Sequence, residues 1–111
     1  MDADFETINN LVENYARDVS DVFPVDKVVL FGSHAKGTAT AQSDIDVCFF
    51  LSSFGEMRRV DIIKKLLGLM HQYKRIHFEP IVFPTTELQN YNPFVKEILR
   101  TGKEIDFVRG D

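Results

Sequence analysis

The sequence predicts an α/β domain, a small mixed β-sheet with helices packed mainly on one face, occupying residues 1–111 as a single domain. Three observations predict it. Two apolar runs of strand length, Val28-Val29-Leu30 and Val47-Cys48-Phe49-Phe50-Leu51, are too short for buried helices and are bounded by glycine and serine. Around them, apolar residues recur at helical spacing, as in Ile8, Leu11, Val12 and Tyr15. The chain has 111 residues, 44% hydrophobic content and ten Phe, enough for one modest core and one domain.

Taken in order, residues 4–18 read as a helix, its stripe made by Phe5, Ile8, Leu11, Val12 and Tyr15, with acidic residues near its start to suit the helix dipole. Pro24 breaks the chain, and Asp26-Lys27 leads into a strand over 27–31 that is apolar on both parities and so buried on both faces. A glycine-bearing loop follows, in which residues 35–41 form a short helix whose start lies over Gly32-Ser33. The next strand covers 44–51. Ile45, Val47, Phe49 and Leu51 share one parity and should face the helices; Asp44, Asp46, Cys48 and Phe50 share the other. That second face needs a cover, either the C-terminal segment of the chain or another protein.

A helix over 56–73 carries Met57, Val60, Ile63, Leu66, Leu67, Met70 and Tyr73 on one side and Arg58, Arg59, Lys64 and Lys65 on a solvated face. Residues 75–83 form the third strand, in which Pro80 lacks an N–H and therefore belongs at an edge or a bulge. Residues 84–87 turn, residues 93–101 form a short amphipathic helix, and Gly102 is expected to stop it in a left-handed conformation. Residues 105–108 form a last strand or an ordered tail, and Tyr91, Phe94 and Phe107 are expected to pack in the core rather than recognise a base.

The chemistry concentrates between the first two strands. Asp44 and Asp46 lie on one side of a strand, and two neighbouring carboxylates repel each other unless a cation sits between them. Hard oxygen ligands suit Mg²⁺, which binds through one or two carboxylates plus substrate phosphates and water. Gly32-Ser33 at the end of the preceding strand can present backbone N–H groups and a hydroxyl to a phosphate. The stretch reads as a metal–phosphate site. It is not a Walker loop, because Gly37 is followed by Thr38 rather than Lys, and the glycine spacing of a dinucleotide fold is absent. Lys36 either neutralises a phosphate as a point charge or is a solvated loop lysine, and His34 is read as exposed. Glu79, an acid in an apolar strand, needs a partner or solvent; His77 shares its parity.

Composition narrows the classes. Net charge is −4 with no basic block, which argues against non-specific nucleic-acid binding. The single cysteine, Cys48, makes no internal disulfide and is expected to be a buried apolar residue. No apolar run approaches the length of a membrane helix and the N-terminus has no signal-peptide core, so a cytoplasmic location is expected.

Gly32-Ser33 followed by Asp44-x-Asp46 resembles the signature of the polymerase-β-like nucleotidyltransferase superfamily, and the short chain resembles its minimal nucleotidyltransferase group. The segment from Pro93 to Lys103 is similar to that family's last helix and glycine stop. The resemblance implies a polymerase-β-like fold, Mg²⁺ held by Asp44, Asp46 and a third carboxylate for which Glu79 stands in place of the usual Asp, and ATP bound by Gly32, Ser33, Lys36 and Ser43. Glu79 would complete the metal site or act as general base. The family's usual arginines near His34 and Lys36 are replaced here. The implied function is transfer of AMP from ATP to a hydroxyl, of tyrosine, on a helical HEPN-type toxin, with the chain as antitoxin. The alternative from another class is a non-catalytic antitoxin that blocks its partner by complex formation. Small-molecule modification would require an acceptor-binding domain for which these residues leave no room. An oligomer is compatible with the sequence.

Overall fold

The computed structural model describes residues 5–40, 42–73, 76–90 and 92–107. The expected strand start at Arg75, the aromatic Tyr91, and Val108 lie outside the described residues. Among the described residues the chain runs α1 (Phe5–Ser20), β1 (Val25–Phe31), α2 (Ser33–Lys36), β2 (Ile45–Leu51), α3 (Arg59–Leu69), β3 (Phe78–Pro84), α4 (Pro93–Thr101) and β4 (Lys103–Glu104), with 3₁₀ turns at Met70–Gln72 and Thr85–Leu88.

The sheet is four-stranded, in the order β3-β2-β1-β4. β1 pairs antiparallel with β2 and with β4, and β2 pairs parallel with β3, so the sheet is mixed. The parallel pair follows from α3, a crossover long enough to return the chain to the same end of the sheet. β3 is an edge strand, which is where Pro80 is tolerated.

Two apolar layers sandwich the sheet. On one face α1 and α3 pack Ile8, Val12, Tyr15, Val19, Ile62 and Leu66 against Val28, Leu30, Ile45, Val47, Phe49 and Leu51. Tyr15 is fully buried, stacks on Phe78 at 4.3 Å between ring centroids, and donates its hydroxyl to the Leu66 carbonyl at 2.6 Å. The bond satisfies a buried phenol that would otherwise be costly, and burial raises its pKa beyond the usual phenol range. On the other face the shorter α4 supplies Val95 and Ile98 against Val29, Cys48 and Phe50. The cover that the Asp46 face required is therefore this chain's own last helix. Cys48 is wholly buried and desolvation pushes its thiol up to about 12, so it behaves as an apolar residue.

The predicted elements are present with shifted ends. α1 runs on to Ser20, and the short loop helix covers only Ser33–Lys36 because Gly37, with φ 77°, ends it. The helix expected over 56–73 begins at Arg59. The Asp61 carboxylate accepts from the Arg58 backbone N–H at 3.3 Å and from its guanidinium at 3.1 Å, which fixes the start. Arg59 is not simply solvated: its Nε donates to the Val82 carbonyl at 3.0 Å and its guanidinium lies 5.2 Å from the centre of the Phe83 ring. Two expectations are corrected. Gly102 is extended, with φ −84° and ψ 176°, not left-handed; a Cβ there would come within 2.5 Å of the Ile98 carbonyl oxygen and of Val29 Cγ1, so glycine is needed for close approach to β1. Phe94 is not a core residue, being 52% exposed, whereas Phe107 does pack against the core. Among the described residues no helix is long and apolar enough to cross a membrane.

Candidate active site

β1 delivers the chain to Gly32 at the mouth of the sheet, and β2 starts again beside it. Phe31 is the cross-strand partner of Asp46, and Asp46 is in turn the partner of Glu79 on β3. Partners in register point to the same face, so Phe31, Asp46 and Glu79 form one row across three strands, on the face that α4 covers. Asp44 is exposed immediately before β2, which the chain enters as the Ile45 N–H bonds the His77 carbonyl at 2.8 Å.

The electrostatics show how tightly these groups gather. Asp46 is pushed up to about 6, by burial first, then by a hydrogen bond with Glu79 and the charges of Glu79 and Asp44. Each of those causes disfavours the ionised carboxylate, and a cation bound beside it would oppose their sum. Among the described residues no three His, Cys, Asp or Glu side chains form a ready-made metal cage. Two adjacent carboxylates with Asp44 at the strand mouth nevertheless match the habit of Mg²⁺, which completes its shell with water and substrate phosphate. The donor set fits that ion.

Gly32 holds the row to the loop. Its φ of 73° and ψ of −152° belong to a region that side-chain-bearing residues rarely enter. A Cβ at this position would collide with Asp46 Oδ2 and lie 3.0 Å from its Cγ. Glycine is therefore required twice, by its backbone conformation and by the carboxylate that passes over it. Ser33 opens α2, and its carbonyl accepts from the N–H groups of Gly37 and Thr38. The first-turn N–H groups of such a turn have no partner inside the helix and point outward. Ser43 is half-buried; its hydroxyl accepts from the Thr40 N–H at 2.9 Å, which shapes the far side of the loop. His34, expected exposed, is half-buried, with Nε2 3.4 Å from the Ser43 carbonyl. Lys36 is exposed at the end of α2. Glu97 on α4 is held below the usual carboxylate range by its hydrogen bond with Arg100, with further help from the charges of Arg100 and Lys36.

The structure thus sets Asp46 against Glu79, with Asp44 two residues away at the start of the strand, and places Gly32 against Asp46, with Ser33 and Lys36 following on the loop. A cleft of about 510 Å³ lies elsewhere: it is lined by Ile8, His34, Lys36 and Lys103, on the side of the loop where α1 packs. The carboxylate row lies on the other face of the sheet, the one that α4 covers. Sequence reasoning missed the aromatic surroundings of the row. Phe31 contacts Phe94 edge to face at 6.4 Å, and Phe94 contacts Phe83 at 6.1 Å. The only signal was the width of the apolar stripe of α4, where Phe94 and Leu99 flank Val95 and Ile98.

Comparison with known proteins agrees with this fold. Residues 12–108 match the family model described as a nucleotidyltransferase domain. The chain is 31% identical over 114 aligned positions to "Putative protein adenylyltransferase MJ1305" of Methanocaldococcus jannaschii, covering 96% of this chain and 76% of that protein. Among solved structures, a "putative nucleotidyltransferase" from Sulfolobus solfataricus superposes with a TM-score of 0.63 at 21% identity, covering 90% of this chain and 80% of that one. A toxin-antitoxin structure containing AMP-PNP superposes with a TM-score of 0.57 at 19% identity, covering 90% of this chain and 73% of its counterpart.

Proposed function

This chain belongs to the nucleotidyltransferase domain family, and from that premise we propose that it transfers AMP from ATP to a hydroxyl of a partner protein. The observation that carries the reading is the row in which Asp46 and Glu79 touch, with Asp44 at its mouth and Gly32 packed against it. In the reaction, the acceptor oxygen attacks the α-phosphorus, a new O–P bond forms, the bond to the β-phosphate oxygen breaks, and pyrophosphate leaves. The acceptor's proton passes to a carboxylate. Glu79 would take it, a role supported by its exposure on an edge strand and its hydrogen bond with Asp46.

Asp44 and Asp46 would hold Mg²⁺, with Glu79 as the third ligand in place of that proton role, and the ion would supply neutralisation of the phosphates and the departing pyrophosphate. Gly32 and Ser33 offer N–H groups to the triphosphate, Ser43 braces the loop that carries them, and Lys36 offers a point charge beside it. The relative named as a protein adenylyltransferase and the toxin-antitoxin structure with AMP-PNP support ATP as donor and a toxin as partner. The finer reading is a tyrosine hydroxyl on a helical HEPN-type toxin, with this chain as its antitoxin in the cytoplasm. A second reading, an antitoxin that blocks its partner without catalysis, is favoured by the glutamate at the third position. It has no use for the strained Gly32 against Asp46.

The test is incubation of wild type and Asp46→Asn with Mg²⁺ and ATP labelled on its α-phosphate in lysate of the native cell. A labelled protein band made only by wild type is expected. An unlabelled partner that co-purifies equally with both proteins would establish the blocking antitoxin instead.

A further inference from the structure

We propose that Phe94, seated edge to face on Phe31, is the platform on which the nucleobase of the donor nucleotide stacks. The inference rests on the nucleotidyl-transfer reading and adds a nucleotide-binding residue to it. Phe94 is 52% exposed although it lies in the first turn of a helix whose next inward residues, Val95 and Ile98, are buried. Its ring is held from two sides, by Phe31 at 6.4 Å and by Phe83 at 6.1 Å, so an apolar face is presented in a fixed orientation rather than on a mobile side chain. Asn92 fixes the backbone beneath it, accepting from the Phe94 N–H at 3.0 Å.

The row order decides which ring the platform takes. Across the sheet the sequence is Glu79, Asp46, Phe31, so Phe31 lies on the opposite flank of Asp46 from Glu79. Phe83 shares β3 with Glu79 but pairs with Phe50, four residues beyond the Asp46–Glu79 pair, so at the mouth of the sheet Glu79 marks the acceptor flank and Phe31 the donor flank. The loop that would hold the donor's phosphates begins at Gly32, directly after Phe31. Donor phosphates and donor base are thereby served by the same strand end. Stacking is tolerant of base identity, because every base has a π-face.

The chain contains no tryptophan, so Phe94→Trp introduces a single fluorescent probe at the platform. Binding of ATP and of inorganic tripolyphosphate, both with Mg²⁺, is measured by calorimetry for wild type, Phe94→Ala and Phe94→Trp, with thermal melts to confirm folding. Phe94→Ala is expected to weaken ATP by about tenfold or more, the usual worth of base–aromatic stacking, and to leave tripolyphosphate unchanged. Phe94→Trp is expected to keep ATP affinity and to be quenched by ATP but not by tripolyphosphate. Equal ATP affinity in Phe94→Ala, or equal loss for both ligands, would overturn the platform. Unchanged ATP binding with impaired transfer to protein would overturn it too, by assigning the ring to the acceptor. A wild type that binds neither ligand would overturn the platform together with the transfer reading beneath it.

Discussion

At the scale of single residues, Gly32 and Asp46 make one unit. Gly32→Ala adds a Cβ where Asp46 Oδ2 lies and forces a side-chain-bearing residue to φ 73°. The strain of such a conformation is of order 1–3 kcal/mol, and relief requires moving either the loop or the carboxylate. The expected outcome is a lower melting temperature and loss of label transfer by about a hundredfold, since a misplacement of about 1 Å has that effect. Asp46 also makes stability depend on pH. Its folded-state pKa of about 6 is above the ordinary 3.8, so between those values the folded protein binds the proton more tightly than the unfolded chain does. Stability therefore falls as pH rises from about 4 to about 6 and stays lowered above that. Asp46→Asn removes this dependence: its melting temperature should match wild type below pH 4 and exceed it at pH 7. Calorimetric melts across pH 3.5–8 check the sign.

Elements show what is legible in the chain and what is not. The parity of β2 is plain from its alternation: Ile45, Val47, Phe49 and Leu51 face α1 and α3, while Cys48 and Phe50 face α4. Pro80 announces an edge strand because a missing N–H is a local fact. The juxtaposition of Asp46 with Glu79 depends on the register of two strands joined through α3, and no local pattern encodes that register. The conformation of Gly102 is illegible for the same reason. A glycine after a helix usually serves a left-handed turn, but here the approach of α4 to Val29 and Leu30 requires it. The wide stripe of α4 points Phe94 toward the core, and only packing shows that Val95 and Ile98 fill the interface. Two substitutions test these local effects. Asn92→Ala removes the oxygen that accepts from the N–H groups of Phe94 and Val95, and should cost about 1 kcal/mol in urea unfolding. Gly102→Ala must displace two backbone carbonyls as well as Val29 Cγ1, and should lower stability by more than the Asn92 change.

For the whole molecule, the fold separates support from chemistry. α1 and α3 bury one face of the sheet, with Tyr15 tying the two helices and β3 together. The small α4 covers only part of the other face, so the row of Phe31, Asp46 and Glu79 stays accessible at the sheet's mouth. Such a division lets a carboxylate of the row be altered without loss of the core. The most direct check is transfer of α-labelled AMP to the partner by wild type and Asp46→Asn, with circular dichroism on both proteins. Transfer by wild type, none detectable from Asp46→Asn, and superimposable spectra are expected. Transfer by Asp46→Asn within about tenfold of wild type, a difference of only ~1.4 kcal/mol in the barrier, would contradict the assignment of chemistry to the carboxylate row.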